Sequence, residues 1–279
     1  QAQPPKNWYD VRTLAQQLTK RDPNTGQITQ AGIALGTTTN VDHWPDIVSL
    51  MLLQAGVDMT KPNTQEAALA LQFYTEFVTK DSVWDATLPS SVQAFAGGFV
   101  AMILAPSYQA IAIKAANPTL NWKIYPVPQL PDSTPVSWAN FWAEGVSKNS
   151  AHPKEAWTFV KFLASSAAQQ SLFDAASAQR GFGQAPANKA LATSTLSNPI
   201  IGPYIQDASS AKTFYTVSNT FDGDTGINTR MNKYLGDAIN AMNQGQPASR
   251  VLPTVQDGFQ QILSQYGIIS APVTPTTTR

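Results

Sequence analysis

The sequence predicts an α/β protein, and three observations carry that expectation. Apolar residues recur at helical spacing in several long segments. Between them lie short apolar runs bounded by glycine or proline, of the kind that form buried strands. The chain has 279 residues, 43% of them hydrophobic, enough for two lobes or for one large domain with a core.

Asn7 stands three residues before Asp10, a helix-start pairing, and Val11, Leu14, Ala15 and Leu18 then mark one face. The turn cluster RDPNTG ends that helix, and ITQAGIALGTTTN reads as a short strand feeding a polar loop. Pro45 suits a first helical position. The helix it opens runs to about Gln54 and is apolar nearly all round, through Ile47, Val48, Leu50, Met51, Leu52 and Leu53, which predicts deep burial. Gly56 is its expected terminator.

Asn63 with Glu66 opens the next helix, striped by Leu69, Phe73 and Phe77. In FAGGFVAMILAPSY a short helix ends at Phe95, the pair Gly97 and Gly98 turns the chain, and VAMILA follows as a strand. WKIYPVP and SWANFWAEGVSK are two further expected strands. Pro153 begins a helix with Ala156, Phe159, Val160 and Leu163 on one face, and Trp157 and Phe159 are expected in the core. Residues 176–225 promise only short helices. A long helix starts near Thr229, carries Met231, Tyr234, Leu235, Ala238, Ile239 and Met242, and meets Gly245. The last helix is marked by Leu252, Val255, Phe259, Ile262 and Leu263, although Pro253 and Gly258 oppose it.

Composition narrows the chemistry. Eighteen basic residues balance eighteen acidic ones, which argues against nucleic acid as a partner. There is no cysteine, so thiol catalysis and thiolate metal sites are excluded. The two histidines, His43 and His152, cannot make a three-histidine site, and no HExxH spacing occurs. FDGDTG places Asp222 and Asp224 at calcium-loop spacing, but Gly226 and Lys233 stand where further ligands belong, leaving a polar turn as the better account. No GxSxG elbow, P-loop lysine or other catalytic motif appears, and no cofactor is called for. The seven tryptophans are the abundant functional material. A flat ring can cover the apolar face of a sugar, and it can equally serve as core packing.

Three separated stretches carry a family resemblance. PPKNWYDVRTLAQQL, residues 4–18, resembles a PPKTW-acid-acid-apolar opening. Phe95, Gly98, Ala101 and Met102 match F-x-x-G-x-x-A-M followed by a small residue and an aromatic. Ala156, Phe159, Phe162 and Leu163 within KEAWTFVKFLAS match an "eAwkFikfL" helix. These are the motifs of family 1 extracellular solute-binding proteins, the sugar-type binding proteins of ABC importers related to maltose-binding protein. The resemblance spans about residues 4 to 265. Asn7 stands where the family has a Thr cap, and Phe99 where it often has Lys.

The resemblance implies a class II periplasmic-binding-protein-like α/β fold, with one near-complete lobe and part of a second, most of the first lobe expected upstream of the opening motif. It implies a second-lobe part over 1–137, a returning part of the first lobe over 138–212, C-terminal helices packing back over 213–266, and a disordered tail over 267–279. It implies a carbohydrate or similar polyol held between two lobes, with the transmembrane permease as protein partner. A monomer, an extracytoplasmic location and no enzymatic activity follow. VAMILA would throw Ser107 and Tyr108 to the edge of its sheet. Asn40, His43 and Trp44 in TTTNVDHW, Asn140 and Trp142 in SWANFW, and Tyr215, Phe221 and Asp222 in FYTVSNTFDGD would converge there. Strand alternation would set Trp138, Asn140 and Trp142 on one side and Phe141 on the other. Two alternatives stay open: a glycan hydrolase using Asp222 with Glu144, and a scaffold whose ligand pocket has degenerated.

Overall fold

In the computed structural model, which describes residues 4–270, helices dominate and strands are short. In chain order the elements are α1 (Trp8–Leu18), β1 (Lys20–Arg21), β2 (Ile28–Ile33), α2 (Trp44–Gln54), α3 (Gln65–Thr79), α4 (Ser91–Ala96), β3 (Val100–Met102) and α5 (Gln109–Ala116). There follow β4 (Ser137–Trp138), α6 (Pro153–Leu163), α7 (Ser166–Arg180), α8 (Lys189–Ser194), α9 (Gly202–Asp207), β5 (Ala211–Lys212), α10 (Ile227–Asn243) and α11 (Ala248–Gln265). The expected tail falls largely on residues outside those described.

The chain divides into two compact units. The first comprises the described residues of Gln1–Ala105, Pro128–Trp138 and Lys212–Arg279, and the second Pro106–Val127 and Ala139–Ala211. Residues 106–127, which the sequence reading leaves in the opening part, therefore belong by contact to the second unit.

In unit 1 a three-stranded sheet runs in the order β1-β2-β3. β1 pairs antiparallel with β2, and β3 runs parallel to β2 with Ala31 opposite Val100 and Ile33 opposite Met102. The parallel pairing demands a long crossover, which α2, α3 and α4 supply. α1 packs on this sheet, capped by the Asn7 side chain, which accepts the Asp10 amide hydrogen at 2.9 Å. Arg12 of α1 reaches Glu76 of α3 at 2.7 Å and Asp81 at 2.6 Å, and its guanidinium lies over Phe73.

Helices α2, α3, α10 and α11 pack together as the main core of unit 1. α2 is buried as its composition predicts, with Ile47, Val48, Leu50, Met51 and Leu52 all inside. α10 and α11 form the tightest pair. A Cβ built on Gly258 would lie 2.4–2.6 Å from the Tyr234 ring. The glycine that weakened the helix reading is what lets α11 approach α10. Pro253 is accommodated six residues into α11, near its exposed start.

Several expected elements differ. α3 is capped by Thr64, not Asn63, and its buried side is Ala67, Leu71, Tyr74 and Phe77, with Leu69 exposed. Gly98 takes φ +79° as the turn into β3 requires, but that strand ends at Met102, short of VAMILA. WKIYPVP forms no strand, and SWANFWAEGVSK is reduced to the two residues of β4. Short apolar runs by themselves specify neither pairing nor burial: Tyr125, Phe141 and Trp142 of these two stretches are exposed, and a strand exists only where a neighbour takes its hydrogen bonds.

Unit 2 has a smaller core. Ala110 of α5, Phe182 and Ile201 are buried, with Ile111, Trp122, Phe173, Ile200 and Ile205 packed around them. α7 extends through residues read as irregular and ends on Gly181 at φ +81°. The expectation that Trp157 and Phe159 lie in the core is overturned. They are 50% and 59% exposed, no residue of α6 is buried, and Phe159 stacks on Phe162 of the same helix at 6.5 Å. The amphipathic spacing makes α6 a helix but does not supply a surface to cover it.

Gly258→Ala should lower the stability of unit 1 by about 1–3 kcal/mol, the range for overpacking a tight contact. Urea unfolding followed by tryptophan fluorescence checks this. Adding Tyr234→Ala should recover part of the loss from the clash.

Candidate functional site

The candidate residues fall into two groups, one in each unit. In unit 1, Asn40 lies in the polar loop that follows β2. It is buried, and its side chain is fully committed to the protein. Its amide donates to the carbonyl oxygens of Asp85 at 2.8 Å and Leu88 at 2.9 Å. Its Oδ1 accepts from Thr37 at 2.5 Å and from the Trp84 indole at 3.0 Å. An amide with both hydrogens and both lone pairs in use holds its loop in place and has little left for a ligand.

His43 and Trp44 start α2. His43 is buried, and its Nδ1 lies 2.7 Å from Ser218 Oγ and 3.7 Å from Asp46 Oδ2. The Ser218 hydroxyl hydrogen bonds to Asp46 Oδ2, so its lone pair receives the His43 Nδ1–H. The order is histidine, serine, carboxylate. In a nucleophilic triad the histidine stands between the other two and takes the serine proton. Here the serine hydroxyl donates to the carboxylate and not to the histidine, and all three groups are buried, so the arrangement locks a loop and does not activate a nucleophile. The Trp44 indole is half-buried with its far edge 3.3 Å from where a Cβ of Gly236 would be, seated against α10.

Tyr215 and Phe221 flank this locked segment. Tyr215 is 39% exposed and meets Phe214 edge-on at 5.3 Å, and Phe221 is 76% exposed. Residues between them are held from two sides. Asn228 of α10 accepts the Val217 amide hydrogen at 2.8 Å and donates to Thr220 O at 2.8 Å. Ser49 of α2 shares a 2.6 Å hydrogen bond with the Thr216 hydroxyl.

Asp222 sits in a polar turn, as its sequence suggests, and does the work of a helix cap. The start of α10 has no side-chain cap of its own at Gly226. Asp222 instead accepts the amide hydrogens of Asn228 at 2.8 Å and Thr229 at 3.1 Å, and the Thr229 hydroxyl at 2.8 Å. Slight burial works to raise its pKa, but these hydrogen bonds outweigh it and the pKa is lowered. A general acid needs the opposite shift.

In unit 2, Ser107 and Tyr108 do not end a strand. The chain leaves unit 1 after Ala105, and the pair forms the turn that starts α5, with Tyr108 at its N-cap and 45% exposed. Asn140 and Trp142 follow β4 in a stretch without regular structure, Asn140 exposed and Trp142 89% exposed. Phe141 is exposed too, so the alternation expected of a strand is absent there. Glu144 is an exposed residue of the same stretch.

Sequence reasoning missed Asp46, Ser218 and Gln54. Each is buried and bonded to segments far away in the chain. One signal was visible: Asp46, Ser49 and Gln54 are the polar residues of a helix otherwise apolar all round. A buried helix keeps a polar side chain only where it finds a partner.

Comparison with known proteins places this architecture. The family model described as bacterial extracellular solute-binding protein matches residues 1–201. No curated protein matches the chain. Among solved structures, an ABC transporter solute-binding protein from Thermotoga lettingae bound to α-D-tagatose aligns with TM-score 0.66 at 18% identity. It covers 94% of this chain and 65% of its own. A cyclo/maltodextrin-binding protein complexed with maltotetraose aligns with TM-score 0.70 at 16% identity, covering 94% and 66%. The Thermus thermophilus maltotriose-binding protein bound with maltotriose gives 0.60 at 20% identity, covering 95% and 67%. This chain thus spans about two thirds of the length of the solved structures it resembles, and its fold is the helix-rich α/β fold of periplasmic sugar-binding proteins.

Asp222→Ala should destabilise the protein at pH 7 by about 1 kcal/mol, as loss of a helix cap does. The folded-state pKa of Asp222 is depressed, so its contribution is complete above the ordinary value of 3.8 and fades as pH falls through the lowered one. Denaturation at pH 7 and at pH 2.5 should show the gap between variant and parent shrinking in acid. With its match to more than half of the sequence and its fold shared with sugar-binding proteins, the chain belongs to the bacterial extracellular solute-binding protein family.

Proposed function

We propose that the protein is the substrate-binding component of an ABC importer. It captures a carbohydrate or similar polyol without altering it and passes it to a membrane permease. The observation that carries this reading is the set of aromatic rings left open to solvent on loops and turns: Tyr108, Trp142, Tyr215 and Phe221. Burying a large ring is worth about 1.5–3 kcal/mol, so a solute that covers these rings gains affinity from them. A weakly charged surface with neutral net charge suits a neutral, hydroxyl-rich molecule. The solved structures of similar fold were determined with tagatose, maltotetraose and maltotriose bound.

The ligand-contacting set is then Ser107, Tyr108, Asn140, Trp142, Tyr215 and Phe221. Rings stack on sugar faces, and the amide and hydroxyl meet sugar OH groups. Asn40, His43, Trp44 and Asp222 support it by fixing the loops that carry or adjoin those residues. The protein works as a monomer outside the cytoplasm, and among the described residues no helix is long and apolar enough to cross a membrane. Hydrolysis by Asp222 with Glu144 finds no support, because Asp222 is committed to α10 with a lowered pKa.

Thermal shift and calorimetry against tagatose, maltotriose, maltotetraose and mannotriose test the reading. At a hundred times its dissociation constant, the true ligand stabilises the folded protein by about 2.7 kcal/mol. Tyr108→Ala and Trp142→Ala should each weaken binding about tenfold or more with the unliganded melting temperature unchanged. Binding unaffected by both substitutions, or no response to any saccharide, would overturn it. Aryl glycosides should remain unhydrolysed.

A further inference from the structure

The chain passes between the two units four times, after residues 105, 127, 138 and 211. Three of those passages are tied to one helix of unit 1 by two buried side chains. Gln54, at the end of α2, donates to Pro128 O and to Val136 O, each at 2.9 Å. Its Oε1 accepts the Trp8 indole hydrogen at 2.5 Å, so its amide cannot turn over without losing all three bonds. Pro128 is the first residue after the second passage, and Val136 lies two residues before Trp138, the last before the third.

Asp46 stands two turns earlier on the same helix. Its Oδ1 accepts the Trp138 indole hydrogen at 2.8 Å and the Ser218 amide hydrogen at 3.1 Å, and its Oδ2 accepts the Ser218 hydroxyl. Ser218 lies in the segment that enters unit 1 at Lys212, and Ser49 holds Thr216 beside it. The groups facing Asp46 are therefore an indole, a hydroxyl, an amide and the His43 ring, with no cation of lysine or arginine among these partners. The hydrogen bonds this carboxylate accepts come from Trp138 and Ser218, on chain segments remote in sequence, which is how a fastener is built.

We propose that Asp46 and Gln54 are positioning residues that clamp the unit 1 ends of three connecting segments to α2, leaving flexure to the few residues at the passages themselves. The clamp sets where the chain bends when a solute is taken up. Truncating it frees residues 136–138 and 216–218 to bend as well, which widens the range of arrangements available before any ligand binds. This goes beyond the proposed function and holds whatever the solute is.

The cysteine-free chain permits a direct test by pulsed dipolar EPR without ligand. Spin labels at Lys61→Cys and Lys189→Cys, both exposed positions, report the distance distribution between the units. Asp46→Ala and Gln54→Ala should each broaden it at least about twofold. Leu71→Ala, a buried truncation in α3, controls for lost stability and should leave the width unchanged. Equal broadening by Leu71→Ala, or an unchanged width in both clamp variants, would overturn the proposal. If the alanine variants do not fold, hydrogen exchange on the parent chain decides. The Ser218 amide hydrogen held by Asp46 and the Trp8 indole hydrogen held by Gln54 should exchange at least about a hundredfold more slowly than exposed amide and indole hydrogens, and rapid exchange at both would overturn it.

Discussion

The cost of burying a polar group organises unit 1. α2 runs through the core with Asp46, Ser49 and Gln54 inside it. Left unpaired, each would cost on the order of 1–3 kcal/mol, and more for a charged group. That penalty outweighs the local preference of any loop for one path over another. The loops therefore come to the helix: Trp138, Thr216 and Ser218 to its first half, Pro128 and Val136 to its end. Apolar neighbours give α2 its depth, whereas its polar residues decide what surrounds it.

A division of labour among the candidate residues follows. Side chains whose polar atoms are spent inside the protein set the shape of the loops, as Asn40 does with Trp84, Asp85 and Leu88, and as Asp222 does at the start of α10. Side chains that remain open are the ones proposed above to meet a solute. Tyr215 and Phe221 belong to the second kind, yet they are carried by a segment fixed at Thr216, Val217 and Ser218. Rings placed on a pinned backbone lose less freedom on contact with a ligand than rings on a loose one.

Periodicity made most helices legible. α1, α2, α10 and α11 lie close to where the apolar spacing puts them, and Gly56, Gly98 and Gly245 all take the positive φ their positions suggest. The strands were less legible, because VAMILA, WKIYPVP and SWANFWAEGVSK declare apolar content but not a neighbour to pair with. Trp157 and Phe159 show the same limit for a helix: spacing specifies which side is apolar, and burial depends on what else is present. At the site, residue type alone could not separate Asn40 from Asn140. One is wrapped by four hydrogen bonds and the other is exposed, a difference set largely by a segment 44 to 48 positions away in the chain, which makes three of the four.

The contact between α1 and β2 carries a consequence for how this sequence can drift. A Cβ on Gly32 would stand 1.9 Å from the carbonyl oxygen of Ala15, so helix and strand meet backbone to backbone. No rotamer relieves a collision with main chain, and no single replacement at position 15 would make room. A larger residue at 32 becomes acceptable only after the whole helix has shifted outward, with Trp8, Val11 and the Arg12 ion pairs moving along with it. The absence of a side chain at that one position thereby sets the depth at which an entire layer sits.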